Sequence, residues 1–178
     1  MKRVIVTVAE YLLGFIALAV FASVAFGSGS PSDVRMVFAF KIAAAIAAVE
    51  LAVLLRRNKP ANRLIIGANI WLLAGGAAAF LEQWWWLRGY QVLGEAGLFA
   101  AMAVVGVLTL PLPNGFVDAA GPRSTVLWCS VALLGCVGIC LALAIHVLGD
   151  VKLAAVLPVI GLSWLNRLLR QVVVRSVA

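Results

Sequence analysis

The chain has 178 residues, 65% of them hydrophobic and 12% charged, with a net charge of +7. Soluble domains are roughly half apolar and about a quarter charged, so this composition cannot cover a water-facing surface. Apolar stretches of about 17 or more residues recur along the whole length, each long enough to cross a hydrocarbon core of about 30 Å. The sequence predicts an all-α, polytopic transmembrane helical bundle that forms one integral membrane domain over residues 1–178.

The first segment, MKRVIVTVAEYLLGFIALAVFASVAFG, has the basic start, apolar middle and small-residue end of a cleavable signal. Glu10 interrupts the apolar region and the stretch is long enough to span, so a retained first helix over 4–26 is expected. A second span is expected over 34–55 and a third over 64–80, joined by the tight hairpin RRNKPANR. Both are alanine- and glycine-rich (KIAAAIAAVE, LLAGGAAAF), which allows close helix approach and places them at the centre of the bundle. The fourth span is expected over 92–110 and the fifth over 126–148. The sixth, 153–174, is the weakest: Pro158 interrupts its ladder and Arg167 ends its uncharged run. A kinked span with snorkelling arginines is the reading, with an in-plane amphipathic helix as the fallback.

Basic residues orient these spans. With a cytoplasmic N-terminus, Lys2, Arg3, Arg56, Arg57, Lys59, Arg63, Arg123, Arg167, Arg170 and Arg175 fall inside, against Arg35, Arg88 and Lys152 outside, and Lys41 stays in the membrane. This excess faces anionic headgroups, so nucleic acid is not an expected partner. In the loops there is little room for a domain, and the longest, PLPNGFVDAAGPRS, is rich in turn formers. EQWWWLRGY falls at the outer end of the third span, where Trp84, Trp85, Trp86 and Tyr90 suit an aromatic belt at the headgroups. Adjacent tryptophans point about 100° apart on a helix, so at least one should turn toward the bundle or a partner.

Ionisable side chains within the hydrocarbon cost a few kcal/mol each and need partners. Counting at about 1.5 Å per residue, Glu10 and Glu50 lie ~8 to 9 Å beneath the cytoplasmic face, with Asn69 at the same level. These three form an expected inner polar layer, to which Ser130 could contribute. Glu50 leans away from its nearer water and most needs Asn69, Glu10 or a proton. An outer charged group is expected from Lys41, Glu95, Glu82 and His146, with Lys41 and Glu95 as a pair. Lys41 and Glu50 point to opposite faces of the second helix, which should therefore be enclosed on both sides unless one of them snorkels past lipid.

Enzyme signatures are missing: there is no H-E-x-x-H, G-x-S-x-G or phosphate-cradling glycine loop, and one histidine is a poor basis for a metal or haem site. Cys129, Cys136 and Cys140 form a row along one helix side and read as packing rather than as ligands. An offset of 85 residues, superposing Glu10 on Glu95 and Asp33 on Asp118, hints at an inverted repeat but rests on two coincidences. The expectation is a non-enzymatic membrane binding or accessory protein without cofactor or metal, partnered by lipids and by a membrane protein or its own copies. An immunity or assembly factor of a bacterial inner membrane would look like this. The alternative is a small proton- or cation-coupled transporter or channel using Glu50 and Glu10, and a less favoured one is an intramembrane enzyme with a dispersed site.

Overall fold

A computed structural model describes residues 15–27, 32–56, 62–93, 95–146 and 155–176, without the side chains of residues 87 and 90–92. Among the described residues the fold is all-helical: α1 (Ile16–Phe26), α2 (Asp33–Arg56), α3 (Arg63–Phe80), α4 (Trp84–Leu93), α5 (Ala96–Thr109), α6 (Arg123–His146) and α7 (Leu157–Arg175). Three of these, α2, α3 and α6, are long and apolar enough to cross a membrane, while α1 and α5 are shorter apolar helices. Their bounds lie within three residues of the expected second, third and fifth spans.

The framework divides into two compact units, one of residues 1–59 and 69–89, the other of 60–68 and 90–178. In the first, α1 packs along α2. The buried face of α2 is the stripe Met36, Ala39, Phe40, Ala43, Ala44 and Ala47, which recurs at helical spacing. Gly75 and Gly76 of α3 receive this stripe: a Cβ on Gly75 would strike the Phe40 ring, and one on Gly76 would strike the Ala44 Cβ. Small residues thus bring the two helix axes close, as the alanine and glycine content implied. Phe21, Phe40 and Trp71 then stack in a buried aromatic cluster with ring centroids 4.6 to 5.5 Å apart.

The expectation that α2 is enclosed on both sides is not met. Val34, Phe38, Val49, Val53 and Leu55 are exposed, so α2 shows one face to the chain and one outward. Its two charges escape the expected conflict by reach: Glu50 turns to α1 and α3, and the Lys41 ammonium stands 5.1 Å from the Phe80 ring centroid. Of the three long helices, α3 is the most enclosed.

The second unit is built on α6, which packs against both α5 and α7. Its centre is Leu98, Phe99 and Met102 of α5, Phe116 and Val117 of the following loop, and Val126, Leu133 and Val137 of α6. Of the expected fourth span, 92–110, the described part is chiefly α5, with 14 residues, while α4 is a separate short helix that precedes it. α4 is set off from α3 at Glu82, whose φ of 53° is left-handed. The Gln83 N–H reaches back to the Ala78 carbonyl at 2.8 Å, the closure that ends a helix with a left-handed residue. Pro158 does not kink α7 but sits in its first turn, where a missing N–H costs no helical bond.

Candidate functional site

Two groups of polar side chains are buried among these apolar helices, one in each unit. In the first unit, Glu50 accepts from two directions. Asn69 Nδ2 donates to Oε2 at 3.0 Å, and the Ala17 backbone N–H donates to Oε1 at 3.1 Å. Ala17 lies in the first turn of α1, whose N-cap residue Phe15 has no side chain to offer. A carboxylate from α2 therefore closes the N-terminus of α1, matching both the unpaired N–H and the positive end of the helix dipole. Asn69 is buried, and its amide ties α3 to the same carboxyl. One acidic side chain thus joins three helices.

Glu10, the third expected member of this layer, lies outside the described residues. Ser130 does not contribute: its buried hydroxyl accepts a 3.3 Å bond from the Val117 N–H in the second unit. Of the expected outer charged group, Lys41 and Glu82 belong to the first unit and Glu95 and His146 to the second. Lys41 contacts Phe80, and Glu82 holds the left-handed end of α3. In the second unit Glu95 is buried at the start of α5, and His146 Nδ1 sits 2.8 Å from the Ala142 carbonyl of its own helix. Of the aromatic group, Trp84 and Trp85 are 55% and 65% exposed while Trp86 is half-buried. Trp85 donates its Nε1–H to Gln83 at 3.0 Å and meets Trp86 edge-on at 5.8 Å. For Tyr90 only the backbone is described.

The second group was not anticipated. Arg63, the first residue of α3, forms a 3.0 Å ion pair with Asp118 and also donates to the carbonyls of Thr109 and Gly115. Both partners are close to buried, with side-chain exposures of 12% and 9%. Asn114 adds a 3.4 Å bond to the same Asp118 oxygen. Arg123 donates to the carbonyls of Leu110, Pro111 and Leu112. The turn-rich stretch after α5 is thus a folded plug. Two guanidiniums satisfy its carbonyls, Phe116 and Val117 are driven into the core, and Gly115 and Asp118 bend it with φ of 56° and 51°. A Cβ on Gly115 would strike Ser130 Oγ, so this position requires glycine for both space and φ.

Beside this clamp, Asn62 Oδ1 accepts from the Leu64 N–H at 3.1 Å, capping α3, and from Asn166 Nδ2 of α7 at 3.0 Å. Asn62 and Asn166 are 7% and 1% exposed, and Asn62 Nδ2 and Asn166 Oδ1 have no partner. The topology held a weak signal for this group. Arg63, Asp118, Arg123 and the C-terminal half of the last helix all fall on the side expected to be cytoplasmic. Among the described residues no three His, Cys, Asp or Glu side chains gather in a way that could hold a metal ion. In comparisons with protein-family models, curated proteins and solved structures, the chain matches none.

Proposed function

We propose that the chain is a non-enzymatic integral membrane protein that acts by association within the bilayer, with a membrane protein partner, an inserting polypeptide or a further copy of itself. An immunity or assembly factor of a bacterial inner membrane is the kind of protein meant. The observation that supports this is the full engagement of Glu50, whose two oxygens are taken by Asn69 and by the first turn of α1. A carboxyl held in this way fixes helix packing and presents a firm outer surface. The exposed apolar faces of α2 and α6, with Phe38, Val49, Trp128 and Ile139, are the surface available to a partner in lipid.

The topology proposed is six crossings with both termini cytoplasmic. It is supported by the ten-to-three distribution of basic residues. It also puts Arg63 and Asp118 on one side, in keeping with the ion pair between them. Single cysteines placed at Arg56, Gln83 and Ser176 in a cysteine-free background test it. Arg56 and Ser176 should label only from the cytoplasm and Gln83 only from outside. Labelling of Ser176 from outside would remove the sixth crossing.

A second reading, a small proton- or cation-coupled transporter, draws on the same corner of the protein. A helix beginning at Ile16 with a carboxylate at its N-terminus resembles the helix ends that line transport sites. Reconstitution separates the two: purified protein in liposomes carrying a pH-sensitive dye should leave proton and potassium flux at the level of empty vesicles. Flux well above that level, lost in Glu50→Gln, would replace association with transport.

A further inference from the structure

We infer that the C-terminal half of α7 is a binding site for an anionic phospholipid, with Arg167 and Arg170 holding the headgroup phosphate and the Trp164 face covering an acyl chain.

The basic residues of the chain fall into two kinds. Arg63 and Arg123 are committed to carbonyls and to Asp118, and they stabilise the plug. Arg167, Arg170 and Arg175 make no hydrogen bond or ion pair among the described residues. Neither α7 nor α6, the helix it packs against, carries a single aspartate or glutamate. Arg167 and Arg170, within about one turn and about 60° of each other on α7, thus stand together without a counterion on either helix.

Their depth is set by a bond already described. Asn166 is tied to Asn62, which caps the first turn of α3. Because α3 has 18 residues, or about 27 Å at 1.5 Å per residue, it is only just long enough to cross, and its first turn must lie at the edge of the hydrocarbon. Arg167 and Arg170 follow Asn166 within about 6 Å along the axis and so sit at headgroup level.

The face they share completes the match. Ile160, Trp164, Leu168 and Val172 are exposed on α7, with Trp164 at 65%. Arg167 lies about 60° to one side of Trp164 and Arg170 a further 60° round, so these two arginines border the apolar face at its cytoplasmic end. An apolar and aromatic stretch leading directly into two unpaired arginines fits an amphiphile whose acyl chain precedes a phosphate. A soluble anion would use only the second half of that surface.

The test is lipid binding to purified protein in neutral detergent, followed by native mass spectrometry, with phosphatidylglycerol against phosphatidylcholine of the same chains. It depends on neither topology nor partner, so it stands or falls separately from the association reading. Phosphatidylglycerol should bind at least tenfold more tightly, and the preference should shrink in 0.5 M salt as exposed charges are screened. The double variant R167Q/R170Q should lose the preference, and R167K/R170K should keep most of it. Singly, R167Q and R170Q should each weaken binding about fivefold, which keeps the test decisive should the double variant prove unstable. Equal binding of the two lipids, or an undiminished preference in the glutamine variants, would overturn the proposal. So would competition by inorganic phosphate at concentrations similar to the lipid, which would point to a soluble anion.

Discussion

Glu50 and Asn69 are joined at 3.0 Å between α2 and α3, while the other Glu50 oxygen closes the first turn of α1. The carboxyl has two oxygens that only accept, and it faces two groups that donate. Glu50→Gln can preserve both bonds: its carbonyl accepts from the Ala17 N–H and its amide donates to a flipped Asn69. Glu50→Leu orphans both donors, at about 1–3 kcal/mol each. Thermal unfolding in detergent should therefore show the glutamine variant close to the parent and the leucine variant well below it. A glutamine variant as unstable as the leucine one would mean that the charge itself is required at the end of α1.

Removing one member of the Arg63 and Asp118 pair should be more damaging than removing both. Arg63→Met leaves two carbonyls without their donor and Asp118 with only the 3.4 Å bond from Asn114, and Asp118→Leu leaves a nearly buried guanidinium without its counterion; breaking such a pair costs about 3–5 kcal/mol. The double variant should be less destabilised than the sum of the two singles, by about 1 kcal/mol or more. Additive losses in a thermal-melt cycle would show that the pair is not coupled.

Glycines of two kinds are distinguished by what surrounds them. Gly76→Ala sets a methyl against the Ala44 Cβ and should cost about 1–3 kcal/mol by forcing α2 and α3 apart. Gly135→Ala and Gly138→Ala meet nothing within 4 Å and should be neutral or stabilising by at most about 1 kcal/mol. The relative melting temperatures of the three variants check the close approach of α3 to α2.

Asn62 and Asn166 should respond unequally to loss. Asn62→Ala removes the cap of α3, worth about 1 kcal/mol, and strands the Asn166 amide as well. Asn166→Leu removes one bond together with an oxygen that has no partner, and leaves the cap in place. The leucine variant should melt above the alanine one. The reverse order would show that the amide at position 166 has a partner of its own.

The parts of the fold that were legible in the sequence are those governed by solvent. A run of apolar residues as long as the bilayer is thick leaves few choices, and α2, α3 and α6 lie where hydropathy put them. The contact between Glu50 and Asn69 was legible for the same reason, since the two share a depth and each needs a partner. Hydropathy does not register backbone geometry, so the left-handed turn at Glu82 and the separate helix α4 were not visible in it. Nor does it register Asp118, which sits in a stretch that composition marks only as turn-forming. Arg63 was read through its charge as an orienting residue, and its second role, as a donor to carbonyls, has no signature in hydropathy.

The Arg63 clamp also bears on the order in which the second unit can be completed during synthesis. Its acceptors lie 46 to 55 residues further along the chain, at Thr109, Gly115 and Asp118. The arginine therefore leaves the ribosome well before any of them, and until they follow, its guanidinium is best served by water and headgroups. The first turn of the third helix therefore gains these bonds only after the plug has been made, and the Asn62 amide waits longer still, for Asn166, 104 residues on. The start of this helix is thus completed in stages, each donor or acceptor made well before its partner.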